Sequence, residues 1–258
     1  MFEATVTDGV LRVRREGTRW LSTGWNGGVS VADAAYNVSV PDGWEETALD
    51  GYIRERRRAA GFEEEGPALL TGLALEHARR ARLGPVEVYA TAGLSNPAAL
   101  PMESGDEASD EPTITDGKRS DEPTDGPPEP GTVNLLVGTK RALPAGALAN
   151  LVAVAAEAKA ATLQAETGFP GTTSDAVAAG CDPAGDPATF TGSATAVGTA
   201  ARVCVRDAVQ ASLDSRYPEQ GFPESVTAAE HGVDPAESAT VSTVTESHSS
   251  GAPGGTDQ

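Results

Sequence analysis

The stretch that decides the fold class runs from Thr132 to Gly180 and reads TVNLLVGTKRALPAGALANLVAVAAEAKAATLQAETGFPGTTSDAVAAG. It begins with an apolar run of strand length. Pro144 favours a helix start, and the alanine-rich segment after it predicts a helix to about Glu166, which Gly168 and Pro170 end. GTTSDAVAAG then predicts a loop that enters a second strand. This alternation indicates an α/β or α+β fold, a single domain with a mixed β-sheet covered by helices.

Composition divides the chain of 258 residues into four parts. Residues 103–130 and 218–258 contain few large apolar side chains. Such segments bury too little apolar surface to offset the entropy lost on ordering, so we predict an acidic, Pro-rich disordered insertion and a disordered acidic tail. Residues 1–102 and 131–217 are then the two parts of one domain, which the insertion interrupts.

Shorter elements are predicted around this segment. TVTDGVLRVRR alternates around Asp8-Gly9, which is a strong hairpin signal. Asp50 is expected to cap a short helix that ends at Gly61, and residues 67–84, PALLTGLALEHARRARLG, have the arginine-rich end that is typical of a second helix. VEVYATAG predicts a buried strand that runs into a polar turn, and residues 194–214 predict a last helix.

The chain is strongly acidic, with a net charge of −19 and a pI near 4.4. No basic face is evident, so we expect no nucleic-acid partner and no attachment to an anionic membrane. Many arginines and only three lysines accompany this acidity. The combination is typical of proteins from halophilic archaea, where concentrated salt screens the repulsion between surface carboxylates. The charge therefore describes the solvent rather than the substrate.

The cysteines and the apolar segments indicate a cellular compartment. Cys181 and Cys204 are too far apart in sequence to form a metal-binding or redox pair, so we expect two buried, reduced thiols. The N-terminal segment lacks the basic and apolar regions of a signal peptide, and no run of about 18 apolar residues is present. We therefore expect a cytoplasmic protein.

The scarcity of histidine limits the chemistry. The three histidines are His77, His231 and His248, and the last two fall in the predicted tail. There is no HExxH motif, no cluster of zinc ligands, no phosphate-binding loop and no nucleophile elbow, so we expect no metal and no cofactor. His77 is expected to be a surface or hydrogen-bonded histidine. Catalysis then depends on carboxylates, lysine, amides and hydroxyls.

Polar residues interrupt apolar segments in three stretches: LSTGWNGGVSVADAAYNVSV (21–40), TAGLSNP (91–97) and GTVNLLV (131–137). Glycines let the backbone approach a ligand, and asparagine amides both donate and accept hydrogen bonds. Strand ends in α/β sheets are also where sites form. Plain turns are the alternative for the first two stretches, and a buried Asn37 either supports a loop or faces a ligand. The candidate ligand-binding residues are Asn26, Gly27, Gly28, Asn37, Ser95, Asn96 and Asn134.

Lys159 is a charge within the apolar helix. At 100° per residue it shares a face with several apolar residues and with Glu166, whereas Glu157 points to the opposite side. A buried ammonium must be paired or lose its proton, and Asp175 is the natural partner. The alternative is that Lys159 extends over the edge of the core towards solvent. The hydroxyl donors expected beside the pair are Thr172 and Ser174.

Together these stretches resemble the adenosylcobinamide amidohydrolase family of corrinoid salvage. The matching pieces, in order, are LSTGWNGGVSVADAAYNVSV, TAGLSN, GTVNLLVGTKRALPAGALANLVAVAAEAKAATL, GTTSDAV and the helix after Thr191-Gly192. They cover nearly all of both predicted ordered parts, whereas the insertion and the tail have no counterpart. The resemblance implies hydrolysis of the amide that joins aminopropanol to adenosylcobinamide, which gives adenosylcobyric acid for cobalamin synthesis in the cytosol.

The chemistry of that reaction suggests roles for the candidates. Asp175 or Glu157 would act as general base on a water, and Lys159 would stabilise the oxyanion or orient that carboxylate. A hydroxyl nucleophile, Ser174 or Ser95, is the alternative. The corrinoid is a substrate rather than a cofactor, and asparagines would bind its carboxamide rim. The alternative functions are a corrinoid-binding protein that does not cleave and a hydrolase of another small amide. The asparagines meant here are Asn26, Asn37, Asn96 and Asn134.

Overall fold

The computed structural model describes residues 1–41, 48–102, 131–218, 221–229, 232–235 and 239–244. These residues form a mixed eight-stranded sheet, a separate two-stranded sheet and three α-helices. The predicted α/β class is therefore confirmed. The predicted insertion, residues 103–130, lies outside the described residues, and the division of the chain into one domain with an insertion and a tail stays a prediction.

The elements alternate along the chain. The strands are β1 Glu3–Thr7, β2 Val10–Ser22, β3 Gly28–Ser39, β4 Ala68–Thr71, β5 Arg79–Leu83, β6 Val86–Ala92, β7 Pro97–Ala98, β8 Val133–Thr139, β9 Gly171–Thr172 and β10 Ala176–Cys181. The α-helices are α1 Leu49–Ala59, α2 Ala145–Thr167 and α3 Ala196–Arg216, with short 3-10 turns at Leu75–His77 and Val226–Ala228.

The large sheet has the strand order β4-β3-β2-β10-β8-β6-β5, and β1 also pairs with β2. Its pairs are antiparallel except for β3 with β4 and β8 with β10. The β1–β2 hairpin turns at Asp8 and Gly9, whose φ angles of 45° and 71° suit a tight two-residue turn. The hairpin prediction is confirmed.

Helices α2 and α3 cover one face of the sheet and enclose the largest apolar core. Helix α2 begins after Pro144 and ends at Gly168, whose φ is 80°, as its sequence predicts. Cys181 and Cys204 lie in this core with 0% and 1% exposure. Burial raises the pKa of both thiols, that of Cys204 to about 11, so the prediction of buried, reduced cysteines is confirmed.

The opposite face is closed by the sheet itself. The pairing of β2 with β3 shifts register between Arg14 and Thr18, and a bulge of this kind bends the strands. Residues of β2 to β4, such as Trp20 and Leu69, then pack against Leu136 of β8. The two halves of the sheet are therefore folded towards each other, and α1 packs on the outer side of β3.

The helix predicted for residues 67–84 is wrong. The segment forms β4, the 3-10 turn Leu75–His77 and β5. Strand β4 pairs with β3 in parallel, and β5 pairs with β6 in antiparallel register. Backbone hydrogen bonds to β3 and to the adjacent β6 thus outweigh a weak local preference for helix.

Two smaller expectations are also corrected. The N-cap position of α1 is Ala48, and no side chain caps the helix; Asp50 lies in the first turn instead. Glu166 lies in the last turn of α2 and is exposed, where its carboxylate accepts a bond of 2.6 Å from Gln210 Nε2 of α3. The helical period predicts on which face of α2 a residue lies, but it does not predict where the sheet that covers this face ends.

Part of the predicted tail contacts β7. In the described part of the predicted tail, the Val233 N–H donates to the Pro97 carbonyl over 3.1 Å, so this short piece lies beside β7, the strand that follows β6.

Among the described residues, α2 is the one helix long and apolar enough to cross a membrane. Half of the most apolar part of α2 is buried in the fold, and helices in protein cores reach the same length and apolar content.

Candidate active site

The three polar stretches of residues 21–40, 91–97 and 131–137 and a fourth, the loop of residues 171–177 after α2, meet at one end of the large sheet. Here β6 ends, while β8 and β10 begin. The Thr173 N–H donates to the Asn96 carbonyl over 3.2 Å, and the Thr23 N–H donates to the Val177 carbonyl over 2.9 Å. Segments that are separated by 77 and 154 residues in the sequence therefore form one cluster. Strand ends expose backbone and side chains to solvent, so this edge can receive a ligand.

A buried ion pair lies at the centre of the cluster. Lys159 Nζ donates to Asp175 Oδ2, and the two side chains are only 11% and 12% exposed. The Thr172 N–H donates to the same oxygen over 3.1 Å, and the Val133 N–H donates to Oδ1 over 2.9 Å. The expected pairing of Lys159 with Asp175 is confirmed, and the alternative of a lysine extended into solvent is wrong.

The Asp175 carboxylate accepts a fourth bond, from the Thr172 hydroxyl to Oδ1. Two backbone amides, one ammonium and one hydroxyl thus occupy its lone pairs and tie α2, β8 and β9 together. A general base needs a lone pair directed at water. Only the hydroxyl is a neutral donor that can rotate away. Rotation of the Thr172 hydroxyl away from Asp175 is therefore the step that would free Asp175 to accept a proton.

Hydroxyl groups surround this ion pair on the solvent side. Ser174 is exposed, and its Oγ lies 2.9 Å from Oγ1 of the buried Thr132. Thr173 Oγ1 accepts a bond of 2.5 Å from Asn96 Nδ2. Asn96 is 7% exposed, and its Oδ1 has no hydrogen-bond partner among the described residues. The cluster thus contains an exposed hydroxyl, that of Ser174, and a buried acceptor, Asn96 Oδ1.

Close packing fixes the start of β8 in this cluster. A Cβ at Gly131 would lie 2.3 Å from the Ser95 N atom and 2.7 Å from Asn96 Oδ1. Such approaches are shorter than any side chain tolerates, so only glycine allows the backbone to pass here. Ser95 and Asn96 are thereby held against the segment that carries Thr132.

Asn37 and Asn134 lie deeper, in a buried network. Asn37 Nδ2 donates to Thr91 Oγ1 over 2.9 Å, and Asn134 Nδ2 donates to Asn37 Oδ1 over 2.9 Å and to the Leu70 carbonyl over 2.7 Å. Asn37 and Asn134 are 2% and 1% exposed. These amides join the two folded halves of the sheet beneath the cluster, and Asn134 Oδ1 has no hydrogen-bond partner among the described residues. Their role in substrate binding stays a prediction.

Asn26, Gly27 and Gly28 lie beside a different feature, an open groove of about 780 Å³ between the β2–β3 turn, the start of β3 and α1. The turn is closed by the Gly27 N–H, which donates to the Gly24 carbonyl over 3.0 Å. We call this feature the turn–helix groove. The sequence reasoning missed two of its residues, Trp25 and Asp50. An exposed tryptophan in a glycine-rich polar turn was the available signal.

Glu157 is not brought to the cluster. It lies on the side of α2 opposite Lys159, its side chain is 61% exposed, and its Oε1 accepts a bond of 2.7 Å from Arg202 of α3. This separation follows directly from the helical period. Its assignment as an alternative base therefore has no geometric support.

His77 is satisfied by a neighbour, as expected. Its Nδ1 lies 3.0 Å from Ser215 Oγ, and the side chain is 17% exposed. Arg79 also donates to Ser215 Oγ, so this hydroxyl is hydrogen-bonded to a guanidinium group. The other two histidines lie outside the described residues. Over the described ranges, no group of three or more His, Cys, Asp and Glu side chains is placed to hold a metal ion.

Comparisons with known proteins give one family model and curated relatives that match most of the chain. A family model described as adenosylcobinamide amidohydrolase matches residues 2–221. A curated adenosylcobinamide amidohydrolase from Halobacterium salinarum is 57% identical over 234 residues, which are 90% of this chain and 95% of the relative. One from Methanosarcina mazei is 27% identical over 158 residues, which are 61% of this chain and 66% of the relative. The family match spans all four polar stretches.

Proposed function

The chain belongs to the adenosylcobinamide amidohydrolase family, and from this premise we propose that it hydrolyses the amide that joins aminopropanol to adenosylcobinamide. The products are adenosylcobyric acid and free aminopropanol. Family membership makes the chain a hydrolase that acts on an amide bond. One observation supports the location of the reaction: the Lys159–Asp175 pair lies where four polar stretches, distant in sequence, meet.

Amide hydrolysis requires a nucleophile at the carbonyl carbon, a stabilised oxyanion and a proton for the leaving amine. We assign Lys159 the role of orienting Asp175 and of supplying positive charge near the oxyanion. Asp175 takes a proton from the nucleophile after the Thr172 hydroxyl turns away. That proton then goes to the nitrogen of the leaving aminopropanol as the C–N bond breaks.

The nucleophile in this scheme is a water molecule, and the Ser174 hydroxyl is the competing choice. Ser174 is exposed beside the ion pair, whereas Thr132 is buried and orients it. Attack by Ser174 would give an acyl-enzyme ester that water then hydrolyses. Asn96 and Ser95 are proposed to bind the carboxamide groups near the scissile amide.

A mass-spectrometric assay tests the reaction. The purified chain is incubated with adenosylcobinamide in concentrated KCl, and both products are measured. We expect both to form in equal amounts. A shift of the corrinoid spectrum without product would mean a protein that binds but does not cleave. An intact substrate with no spectral change, in a folded sample, would mean that the substrate is another amide.

Variants of the cluster test the roles. Asp175→Asn is expected to abolish turnover and to retain binding, because the amide cannot take a proton. Ser174→Ala separates the two nucleophiles, since only a serine mechanism loses all activity and the acyl-enzyme mass. Glu157→Gln, which makes the same change of charge on the exposed side of α2, is the matched control. Full activity of Asp175→Asn would rule out the base assignment.

We further propose that the protein works in the salt-rich cytoplasm of a halophilic archaeon, with no nucleic-acid or membrane partner and no cofactor. The net charge of −19 supports this setting, as does the relative from Halobacterium salinarum. Activity and melting temperature should both rise as KCl increases from about 0.1 M to molar concentrations, because screening relieves carboxylate repulsion. A maximum of activity at the low end would contradict the proposal.

A further inference from the structure

Given the proposed function, we infer that the corrin ring of the substrate lies in the turn–helix groove and that Asp50 is the positioning residue that holds the groove wall. The groove volume of about 780 Å³ is that of a site for a large ligand. The reacting amide hangs from the rim of the ring, so the ring itself needs a separate surface next to the Asp175 cluster.

The groove wall exposes large apolar side chains. Trp25, Val29 and Val31 are 46%, 66% and 69% exposed, and all three line the groove. Strand β4 pairs only with Tyr36–Ser39 of β3, so this apolar part of β3 extends beyond β4. Adjacent exposed apolar groups mark a binding surface, and the face of a corrin ring offers matching apolar area.

The charge of the groove suits the same ligand. Four carboxylates and two guanidinium groups line it. One guanidinium, that of Arg57, is already occupied, since its Nη1 donates to the Glu64 carbonyl over 2.8 Å and its Nη2 lies 3.7 Å from Glu65. Glu64 is paired with Arg12 and Arg14 over 3.3 and 2.9 Å. Asp33 and Asp50 instead accept hydrogen bonds from neutral N–H groups. A cobalt(III) corrin with an alkyl ligand carries a net positive charge, so the Asp33 and Asp50 carboxylates attract it.

Asp50 ties the wall of the groove to α1. Its carboxylate accepts a bond of 2.9 Å from Trp25 Nε1 and bonds of 2.9 and 3.1 Å from Asn26 Nδ2. Asn26 has a φ of 47°, a left-handed conformation that asparagine tolerates better than most residues. One carboxylate therefore fixes both the indole plane and a turn in an uncommon backbone conformation.

The groove is continuous with the Asp175 cluster through the chain. Thr23 directly precedes the turn, and it exchanges hydrogen bonds of 2.9 Å with Val177 in both directions. Val177 is two residues from Asp175 in sequence. A ring bound against Trp25 thus lies on the same end of the molecule as the ion pair.

A pair of exchanged substitutions tests the role of Asp50. Asp50→Ala should raise KM and the spectroscopic Kd for adenosylcobinamide about tenfold with kcat within about twofold, because only ring binding is weakened. Asn26→Asp should do the same by placing two carboxylates together. The double variant Asn26→Asp/Asp50→Asn should restore KM, since donor and acceptor then exchange places. Asp186→Asn, an exposed carboxylate away from the groove, is the control.

Val31→Lys tests the apolar wall without depending on a turn contact. Val31 is 69% exposed, so the variant should fold, and we expect about a tenfold rise in Kd from lost apolar contact and added positive charge. If the wild type cleaves adenosylcobinamide but Asp50→Ala and Val31→Lys keep its KM and Kd, the groove inference is wrong and the proposed function stands. If the wild type neither binds nor cleaves, the proposed function fails first.

Discussion

Two buried carboxylates lie at opposite ends of the same sheet and have different partners. Asp175, 12% exposed, accepts bonds from Lys159, from a hydroxyl and from two backbone N–H groups of neighbouring segments. Glu87 of β6, 3% exposed, accepts from Arg80 over 2.8 Å and from the Tyr89 hydroxyl over 3.0 Å, with Arg82 4.0 Å away. Both are buried charges with cationic partners.

The difference between these sites lies in what each carboxylate holds. The donors to Asp175 are a buried helix residue and the backbone of two segments, so this carboxylate fixes the geometry of a loop. The cationic partners of Glu87 are side chains of β5, each 45% exposed, so this carboxylate fastens an edge strand. A buried carboxylate therefore does not by itself mark an active site. The groups that donate to a carboxylate, and the polar stretches around it, distinguish a carboxylate that positions a loop from one that stabilises the fold.

The largest expected effect is that of Lys159→Met. The substitution leaves the Asp175 carboxylate buried without its cation, which should lower the free energy of unfolding by about 3–5 kcal/mol and abolish turnover. Denaturant unfolding in concentrated KCl and the product assay measure the two effects. The double variant Lys159→Met/Asp175→Asn should regain part of the stability but none of the turnover. Recovered turnover would show that the charged pair has no role in catalysis.

Glu87→Gln is the corresponding change at the other carboxylate. It keeps the size of the side chain but removes the charge that faces Arg80 and Arg82. We expect the free energy of unfolding to fall by about 1–3 kcal/mol, because a buried hydrogen-bond network is weakened while both arginines stay solvated. Values of kcat and KM should not change. A large loss of kcat in a folded variant would remove the distinction between the two sites.

Part of the loss of stability at alkaline pH should originate at the Glu87 end. Burial, and then the Glu87 charge, raise the pKa of Tyr89 above its ordinary value of 10.0. The folded chain keeps this proton while the unfolded chain loses it. The contribution is therefore fully present below pH 10 and falls as the pH rises, by at most about 1.4 kcal/mol per pH unit. Tyr89→Phe should make the alkaline fall shallower, as measured by thermal unfolding between pH 9 and about 12; an unchanged slope would contradict this assignment.

The smallest effect is expected for Glu157→Gln, which tests a charge pair outside both buried sites. The pair with Arg202 is exposed, with side-chain exposures of 61% and 36%. Solvent and salt screen such pairs, so the free energy of unfolding should change by less than about 0.5 kcal/mol, and turnover should be retained. Lost turnover in this variant would reopen Glu157 as a catalytic group.

The sequence predicted what depends on local chemistry. The Asp8-Gly9 hairpin follows from two residues that tolerate positive φ, and α2 follows from its alanine-rich composition between Pro144 and Gly168. The pairing of Lys159 with Asp175 could be predicted as well. A single lysine on an apolar helix face needs a counterion, and the loop that leaves the helix supplies one nearby in sequence.

Other features depended on partners far along the chain. Residues 68–71 form a strand because β3, whose paired residues lie 32 positions earlier, offers them backbone partners. The link from Asp50 to the Trp25–Asn26 turn joins segments 24 and 25 residues apart, and no local pattern indicates it. The folding of the sheet on itself brings Asn37 and Asn134 into one buried network, which no local pattern indicates.

By itself, the sequence determined the acidic character of the chain, its α/β class, its main helix and the residue types available for catalysis, because composition and short-range periodicity fix these properties. The tertiary structure alone decided which polar stretches meet, which carboxylate is enclosed and where an open groove lies beside them. Those outcomes depend on strand pairing across long sequence separations, and pairing energy is a property of two segments together rather than of either one.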